Sequence, residues 1–365
     1  MKKVGLLTLP LKDNYGGILQ AAALFGIIER LGCEVTLIRK EFYYPPWKRL
    51  VIRVLEKLPF QNFKKFRSSR KNSLVHNRFL DQVIPRKTKP VISKEELRSI
   101  AREYKLDSVV VGSDQVWRLE YIDKVYYGAY FLNFLDGMGI KKISYAASFG
   151  VNYWQAPELS SQVSSWLSDF NAVSVRESTG QALCAQFGRQ DAVHVLDPTL
   201  LIGPDFYLGL IQNLGSRNRG LLYYVLDQSD FSETLLQDIH SALGFGVEIT
   251  RIFSKGQTFQ SHTVPEWVMA FADAEFVLTD SFHGMVFSVM FNKPFLAIAN
   301  TERGASRFES FLDRLGLKER LIIDCDSAPV ETLLYDLIDY DAVNARIAQW
   351  RDESEAFLKS ALDVV

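Results

Sequence analysis

The stretch from Phe276 to Phe295 constrains this chain more than any other. The apolar run Phe276-Val277-Leu278 has the length and composition of a buried parallel strand. It stops at Asp280-Ser281, two good helix N-cap residues, and an apolar helical pattern follows from Met285 to Phe291. Asn292, Lys293 and Pro294 break that helix, and Phe295 to Ala299 reads as the next strand. His283 therefore falls in the first turn of a helix, just past the carboxyl end of a strand. Open α/β sheets bind ligands at that place, and free backbone N–H groups there favour anions. A histidine so placed can bind or protonate a phosphate-bearing ligand.

The same strand-to-helix alternation runs along the chain. Val4 to Leu9 reads as a first strand, the loop Asp13-Asn14-Tyr15-Gly16-Gly17 follows, Ile18 to Leu31 is helical with Gly32 as its stop, and Glu34 to Ile38 is a second strand. Further strands are expected at Ser108–Val111, Ile143–Ala146, Ala172–Val175 and Val193–Leu196. In the second half, strands at Gly220–Leu226 and Val247–Ile252 flank a helix at Glu233–Leu243, and a helix at Pro265–Ala274 leads into the opening segment. Alternation of this kind predicts an α/β fold with parallel sheets covered on both faces. The 365 residues are long for a single core. The pattern divides near Leu201 to Asp205, giving two Rossmann-like domains facing a cleft. Residues 1–202 form the first, with a basic helical insertion over about 41–105, and 203–365 form the second. A last amphipathic helix, about Asp341 to Leu362, has no strand after it and is expected to pack back on the first domain.

Charge is uneven although the net value is only −1. Between Glu41 and Lys105 there are 17 Lys/Arg and 6 Asp/Glu, so the rest of the chain is acidic. Trp47 to Leu58 reads as an amphipathic basic helix, with Lys64, Lys65, Arg67, Arg70 and Lys71 close behind. Such a face over 47–71 suits peripheral contact with an anionic membrane or a lipid-diphosphate-linked sugar; a solvated face covering the first domain is the plainer reading. No recognised module points to nucleic acid. Cys33, Cys184 and Cys325 are scattered and odd in number, as expected of reduced thiols in a cytoplasmic protein. Lys2-Lys3 before Val4 to Leu11 imitates a signal peptide, but Lys12-Asp13 interrupts the apolar run, and a first strand explains it better.

Carboxyl ends of parallel strands converge on one cleft, so polar residues at those ends are the candidates for chemistry. They are Asn14-Tyr15-Gly16-Gly17, Ser113-Asp114-Gln115, Arg176-Glu177 and Asp280-Ser281-Phe282-His283. Each has a plainer reading as well. Gly16-Gly17 makes a tight turn, Asp114 caps one, Arg176-Glu177 forms an ion pair, and His283 is a satisfied core histidine.

Six motifs in order change the balance: Asn14-Tyr15-Gly16-Gly17-Ile18-Leu19-Gln20, Gly112-Ser113-Asp114-Gln115-Val116-Trp117, Ser144-Tyr145-Ala146-Ala147-Ser148-Phe149-Gly150, Ser174-Val175-Arg176-Glu177, Leu196-Asp197-Pro198-Thr199 and Thr279-Asp280-Ser281-Phe282-His283-Gly284. Together the chain resembles the polysaccharide pyruvyl transferase family, from the first strand to about Arg320. The resemblance implies a glycosyltransferase-B-like arrangement and transfer of the enolpyruvyl part of phosphoenolpyruvate to a surface-polysaccharide sugar or its lipid-linked precursor. The product would be a pyruvate ketal, with phosphate released and no cofactor or metal required. Where some members carry an Arg two residues before the His, this chain has Ser281.

Such a reaction needs cations and helix-terminal N–H groups for a highly anionic donor, an acid for the enol carbon and a base for the sugar hydroxyl. His283, Asp280 and Asp114 are the expected acid and base residues. Arg176 is the expected carboxylate clamp because its planar fork binds carboxylates bidentately. Ser281 and Gly284 adjoin the donor, and Arg303 and Arg307 are placed to supply the missing cation. Asn14, Tyr15, Gly16, Gly17, Gln20, Ser113 and Gln115 form the expected acceptor side. Two rivals stand beside this reading: a nucleotide-sugar glycosyltransferase, for which Asp324-Cys325-Asp326 and Asp339-Tyr340-Asp341 offer a short Asp-x-Asp pattern, and an inactive binding relative.

Overall fold

The computed structural model describes residues 1–11, 14–43, 45, 47, 75–122, 125–215, 220–244, 246–252, 262–299, 304–323 and 330–364. The expected basic helix after Trp47, Arg303, and Asp324-Cys325-Asp326 lie outside the described residues.

Two all-parallel sheets carry the fold. The first contains β1 (Lys3–Leu7), β2 (Glu34–Ile38), β3 (Ser108–Asp114), β4 (Lys141–Ala147), β5 (Ser174–Val175) and β6 (Val193–His194), in the order β2-β1-β3-β4-β5-β6. The second contains β7 (Gly220–Tyr224), β8 (Glu248–Arg251), β9 (Phe276–Thr279), β10 (Phe295–Ile298) and β11 (Leu321–Ile322), in the order β11-β10-β9-β7-β8. Both are the doubly wound arrangement in which strand order reverses once, between β1 and β3 and again between β7 and β9. Ligands in such sheets sit beyond the strand ends at that reversal. The strands are buried throughout β3 and β9, as continuous apolar runs in a two-sided parallel sheet require. These are two Rossmann-like domains in a glycosyltransferase-B-like arrangement.

Residues 75–105, expected as part of a basic helical insertion in the first domain, pack along the edge of its sheet and lead into β3. A helical stretch spans 75–83, Lys87 and Val91 bridge in parallel to Leu37 and Lys40, and the helix Lys94–Glu103 leads into β3. That helix starts on a capping box, Ser93 with Glu96, and buries only Leu97, Ile100 and Ala101. Its charged residues are its solvent face, which is why the charge pattern read as an insertion.

The C-terminal helix Tyr340–Leu362 joins the two domains, as its amphipathic pattern predicts. It begins on the second, where the Tyr340 hydroxyl donates to the Lys293 carbonyl. It ends on the first, where Ser354 Oγ accepts from the Leu196 amide at 2.8 Å and Lys2 reaches the Leu362 carbonyl at 2.7 Å. Midway, buried Trp350 meets His194 edge-on at 4.9 Å, Phe311 at 6.3 Å and the Arg314 guanidinium at 4.2 Å. A single apolar core runs through both domains and includes Trp350 and Leu358 of this helix.

Two predictions follow from this helix. Trp350→Ala is expected to cost about 3–5 kcal/mol, the usual range for removing a buried Trp, read as a lower denaturant midpoint; an unchanged midpoint would show that the helix does not carry the domains. His194, under Trp350, is pushed down to about 4 by burial and by Arg314, with its Nε2–H donating to the Arg176 carbonyl at 2.9 Å. The native ring is therefore neutral, whereas the unfolded chain takes up that proton near pH 6.5. As pH falls from about 6.5 to 4 the unfolded state binds one more proton than the native state, so stability is lost over that window. His194→Gln should flatten this decline by about one proton in equilibrium unfolding measured between pH 7 and 4.

Candidate active site

The strand ends of both domains meet around one buried guanidinium. Arg176 follows β5 and sends one terminal nitrogen to Asp114 at the end of β3 (3.0 Å) and the other to Asp197 after β6 (3.1 Å). Its guanidinium lies 4.6 Å from the centre of the Phe282 ring, at the head of the helix Phe282–Met290. All three charged residues are buried. Burial alone would raise the carboxyls of Asp114 and Asp197. For Asp114 the Arg176 charge leads in outweighing it; for Asp197 His283 leads, then Arg176. Both end below the usual carboxylate range and stay ionised.

His283 sits in the first turn of that helix, as its sequence position predicts, with Ser281 as N-cap accepting from the Gly284 amide at 3.3 Å. Its Nε2 lies 3.8 Å from Asp197 and makes no hydrogen bond, although the ring is buried. Burial pushes its pKa down, partly opposed by Asp197, so the resting imidazole is neutral. The ring faces Gly16 of the first domain so closely that a Cβ there would fall 2.1 Å from Nδ1. Gly16 is thus the surface on which the second domain's histidine rests.

Arg307, in the helix Ser306–Leu315, brings a second guanidinium to Phe282 at 5.5 Å. Burial, then the Arg176 charge, pushes it down to about 10. Beside it, Glu177 is fully buried and raised by burial. Its Oε1 accepts from Ser148 Oγ (2.9 Å) and the Phe149 amide (3.0 Å), while Oε2 makes no hydrogen bond. The Nε of Arg176 is also without one.

Several sequence expectations change here. Asp280 was expected as an acid or base, but its carboxylate accepts from the backbone amides of Leu226 (2.6 Å) and Asp227 (2.9 Å), clamping the loop after β7. Each terminal nitrogen of Arg176, the expected carboxylate clamp, donates to an aspartate, Asp114 or Asp197. Tyr15 stacks on Trp267 at 5.5 Å and donates to the His262 carbonyl at 2.8 Å, locking the domains together rather than facing a sugar. Gln20 and Ser113 bond to each other and to Thr8, bracing the reversal between β1 and β3. Asn14 caps its helix through the Gly17 amide, Gln115 holds Arg118 at 3.0 Å, and Gly284 packs against Thr279. Asp339 caps the C-terminal helix through the Ala342 amide, which explains that Asp-x-Asp match without a metal. Glu177 and Phe282 stood among the strand-end candidates without an assigned role, and Asp197 was not expected as a site residue. Asp197 lay within a quoted motif at a strand end, the one signal that pointed to it.

Among solved structures the chain resembles sugar-nucleotide epimerases in fold. An S. aureus MnaA–UDP complex aligns at TM-score 0.59 and 11% identity over 100% of this chain and 98% of that one. UDP-N-acetylglucosamine 2-epimerase from Rickettsia bellii aligns at 0.54 and 10% identity (100% and 97% covered), and that from Methanocaldococcus jannaschii, in complex with UDP-GlcNAc and UDP, at 0.53 and 12% (95% and 93% covered). No protein of curated function matches. The fold and the buried cationic site thus define a two-domain, glycosyltransferase-B-type protein. Residues 14–302 match the family model for polysaccharide pyruvyl transferase, and the chain belongs to that family of transferases.

Gly16→Ala is expected to displace the His283 ring and cut turnover by about 100-fold, the cost of misplacing a reacting group by an ångström. Stability should fall by no more than about 1–3 kcal/mol. Turnover equal to wild type would show that His283 has no role requiring that position.

Proposed function

We propose that this protein transfers the pyruvyl group of phosphoenolpyruvate to one sugar, bridging two of its hydroxyls as a ketal. Both hydroxyl oxygens bond to the central carbon of the donor, the carbon–oxygen bond to phosphate breaks, and phosphate leaves. One hydroxyl proton ends on the terminal carbon, making it a methyl group, and the other departs with phosphate. The observation that supports this most is the pair of buried guanidinia, Arg176 and Arg307, over one Phe282 ring beside the helix that carries His283. Asp114 and Asp197 offset the Arg176 charge, and what the two guanidinia offer a phosphate or carboxylate is charge-assisted N–H donors in one place.

Arg307 takes the clamp that the sequence assigned to Arg176. Ser281 caps the helix where some relatives carry Arg, and Arg307 brings the cation to the same helix start from a later segment. Arg176 offers its Nε edge and orders the two aspartates. A neutral His283 accepts a proton from the attacking hydroxyl, and Asp197 at 3.8 Å stabilises the imidazolium that forms. Asp114, held low by Arg176, is a weak base and acts through its charge on the oxocarbenium-like centre.

The test is thermal stability with phosphoenolpyruvate against UDP-sugars, followed by phosphate release with sugar acceptors. Ligand at about 100 times its dissociation constant adds about 2.7 kcal/mol. Phosphoenolpyruvate should raise the midpoint, Arg307→Ala should abolish the rise, and His283→Ala should abolish phosphate release without unfolding the protein. A rise with UDP-sugars alone would replace this reading by nucleotide-sugar chemistry. Donor binding without phosphate release from any acceptor would leave an inactive binding relative.

A further inference from the structure

Tyr15, Gln20 and Ser113 are engaged inside the fold, which turns attention to the exposed rings of the first domain. We propose that the groove formed by the loops after β3 and β4, with Tyr153 as its platform, is a subsite for neutral sugar residues adjoining the one that is modified. This rests on the pyruvyl-transfer reading for its place in the reaction, but not for its chemistry. The groove encloses about 550 Å³ and is lined by Leu119, Glu120, Tyr127, Tyr153, Gln155 and Glu158, among others. That volume lies in the range of about 300–1,000 Å³ usual for small-molecule sites.

Its lining matches a saccharide. Tyr153 is 60% exposed, an open ring of the kind that stacks on the apolar C–H face of a sugar. The Tyr127 ring is held in place by Trp166 at 5.6 Å and by its hydroxyl donating to Gln162 at 2.8 Å. Glu120, Glu158 and Gln155 supply acceptors, and Gln155 a donor, for ring hydroxyls. Both charged residues of the lining are acidic, which disfavours a phosphorylated or uronic-acid segment.

A chain of side-chain contacts links the groove to the buried site. Glu120 is held by Arg118 at 2.7 Å, Arg118 donates to Gln115 at 3.0 Å, and Gln115 adjoins Asp114 of the Arg176 cluster. Gly150 closes the same corner, since a Cβ there would fall 2.1 Å from Gln115 Oε1 and 2.9 Å from Arg118. The loop pair that bears the groove is thus the one that carries Asp114 into the site.

The experiment uses the full chain on an array of neutral and anionic tri- and tetrasaccharides. Wild type should retain neutral members; Tyr153→Ala should weaken binding about tenfold, the scale of one lost aromatic contact. Tyr153→Trp should keep the binding. Retention of no neutral member, preference for anionic ones, or undiminished binding by Tyr153→Ala would overturn the proposal. The two readings fail separately: binding through Tyr153 with no phosphoenolpyruvate-dependent phosphate release from a retained glycan would remove the transfer reading and keep the subsite.

Discussion

A buried guanidinium fixes most of what is specific in this molecule. Arg176 can be taken out of water only because Asp114 and Asp197 answer its charge from the ends of two other strands. Removing Arg176 would leave two buried carboxylates without their cation, the kind of change that typically costs about 3–5 kcal/mol. The three side chains therefore tie the ends of β3, β5 and β6 into one rigid floor. Asp197 then orients His283, and the guanidinium supports Phe282, so the second domain docks on a surface prepared by the first. The site is electrostatically organised before any ligand arrives, which is what lets fixed charges act on a reacting centre without reorganising.

Both sheets solve the same topological problem in the same way. Where strand order reverses, the two flanking loops splay apart and leave a crevice. In the first domain Gln20 closes it by bonding to Ser113 and Thr8. In the second, Asp280 binds the amides of Leu226 and Asp227 while Thr279 Oγ1 donates to the Tyr224 carbonyl. These polar side chains stand where ligand-binding residues are usually sought, yet they hold loops. The cleft is left to residues on the next strands along, Arg176 and Asp197, and to the histidine helix that faces them.

This explains what could be read from the sequence and what could not. Periodicity located the strands and the His283 helix because burial on a parallel sheet leaves continuous apolar runs, and Ser281 marked the cap. Such signals are local. Whether a polar residue at a strand end faces a ligand or a neighbouring loop depends on contacts that are remote in sequence. Asp280 reaches back 54 residues to Leu226, and Tyr15 forward 247 residues to His262. Nothing near either residue announces that choice. Gly16 was legible as a tight turn, but its need to be glycine comes from the His283 ring, again across the domain boundary. The charge of 75–105 misled for a different reason: helix Lys94–Glu103 buries one narrow stripe, and composition alone cannot separate a solvated helix face from an inserted basic segment.

At the head of the His283 helix, capping and charge come from different segments. Ser281 accepts from the Gly284 amide and stabilises the helix itself. A guanidinium reaches the same helix start from Arg307, which packs on Phe282. Because its helix, Ser306–Leu315, is anchored to the first domain through Ser310 Oγ, which accepts from the Ser178 amide at 2.8 Å, the cation is fixed relative to Arg176. Two guanidinia near one ring repel, and the depression of Arg307 to about 10 is the measure of that burial and repulsion. Burial comes first in that depression and the Arg176 charge second, while Asp114 and Glu177 oppose both, so the acids around the two guanidinia are what hold them together.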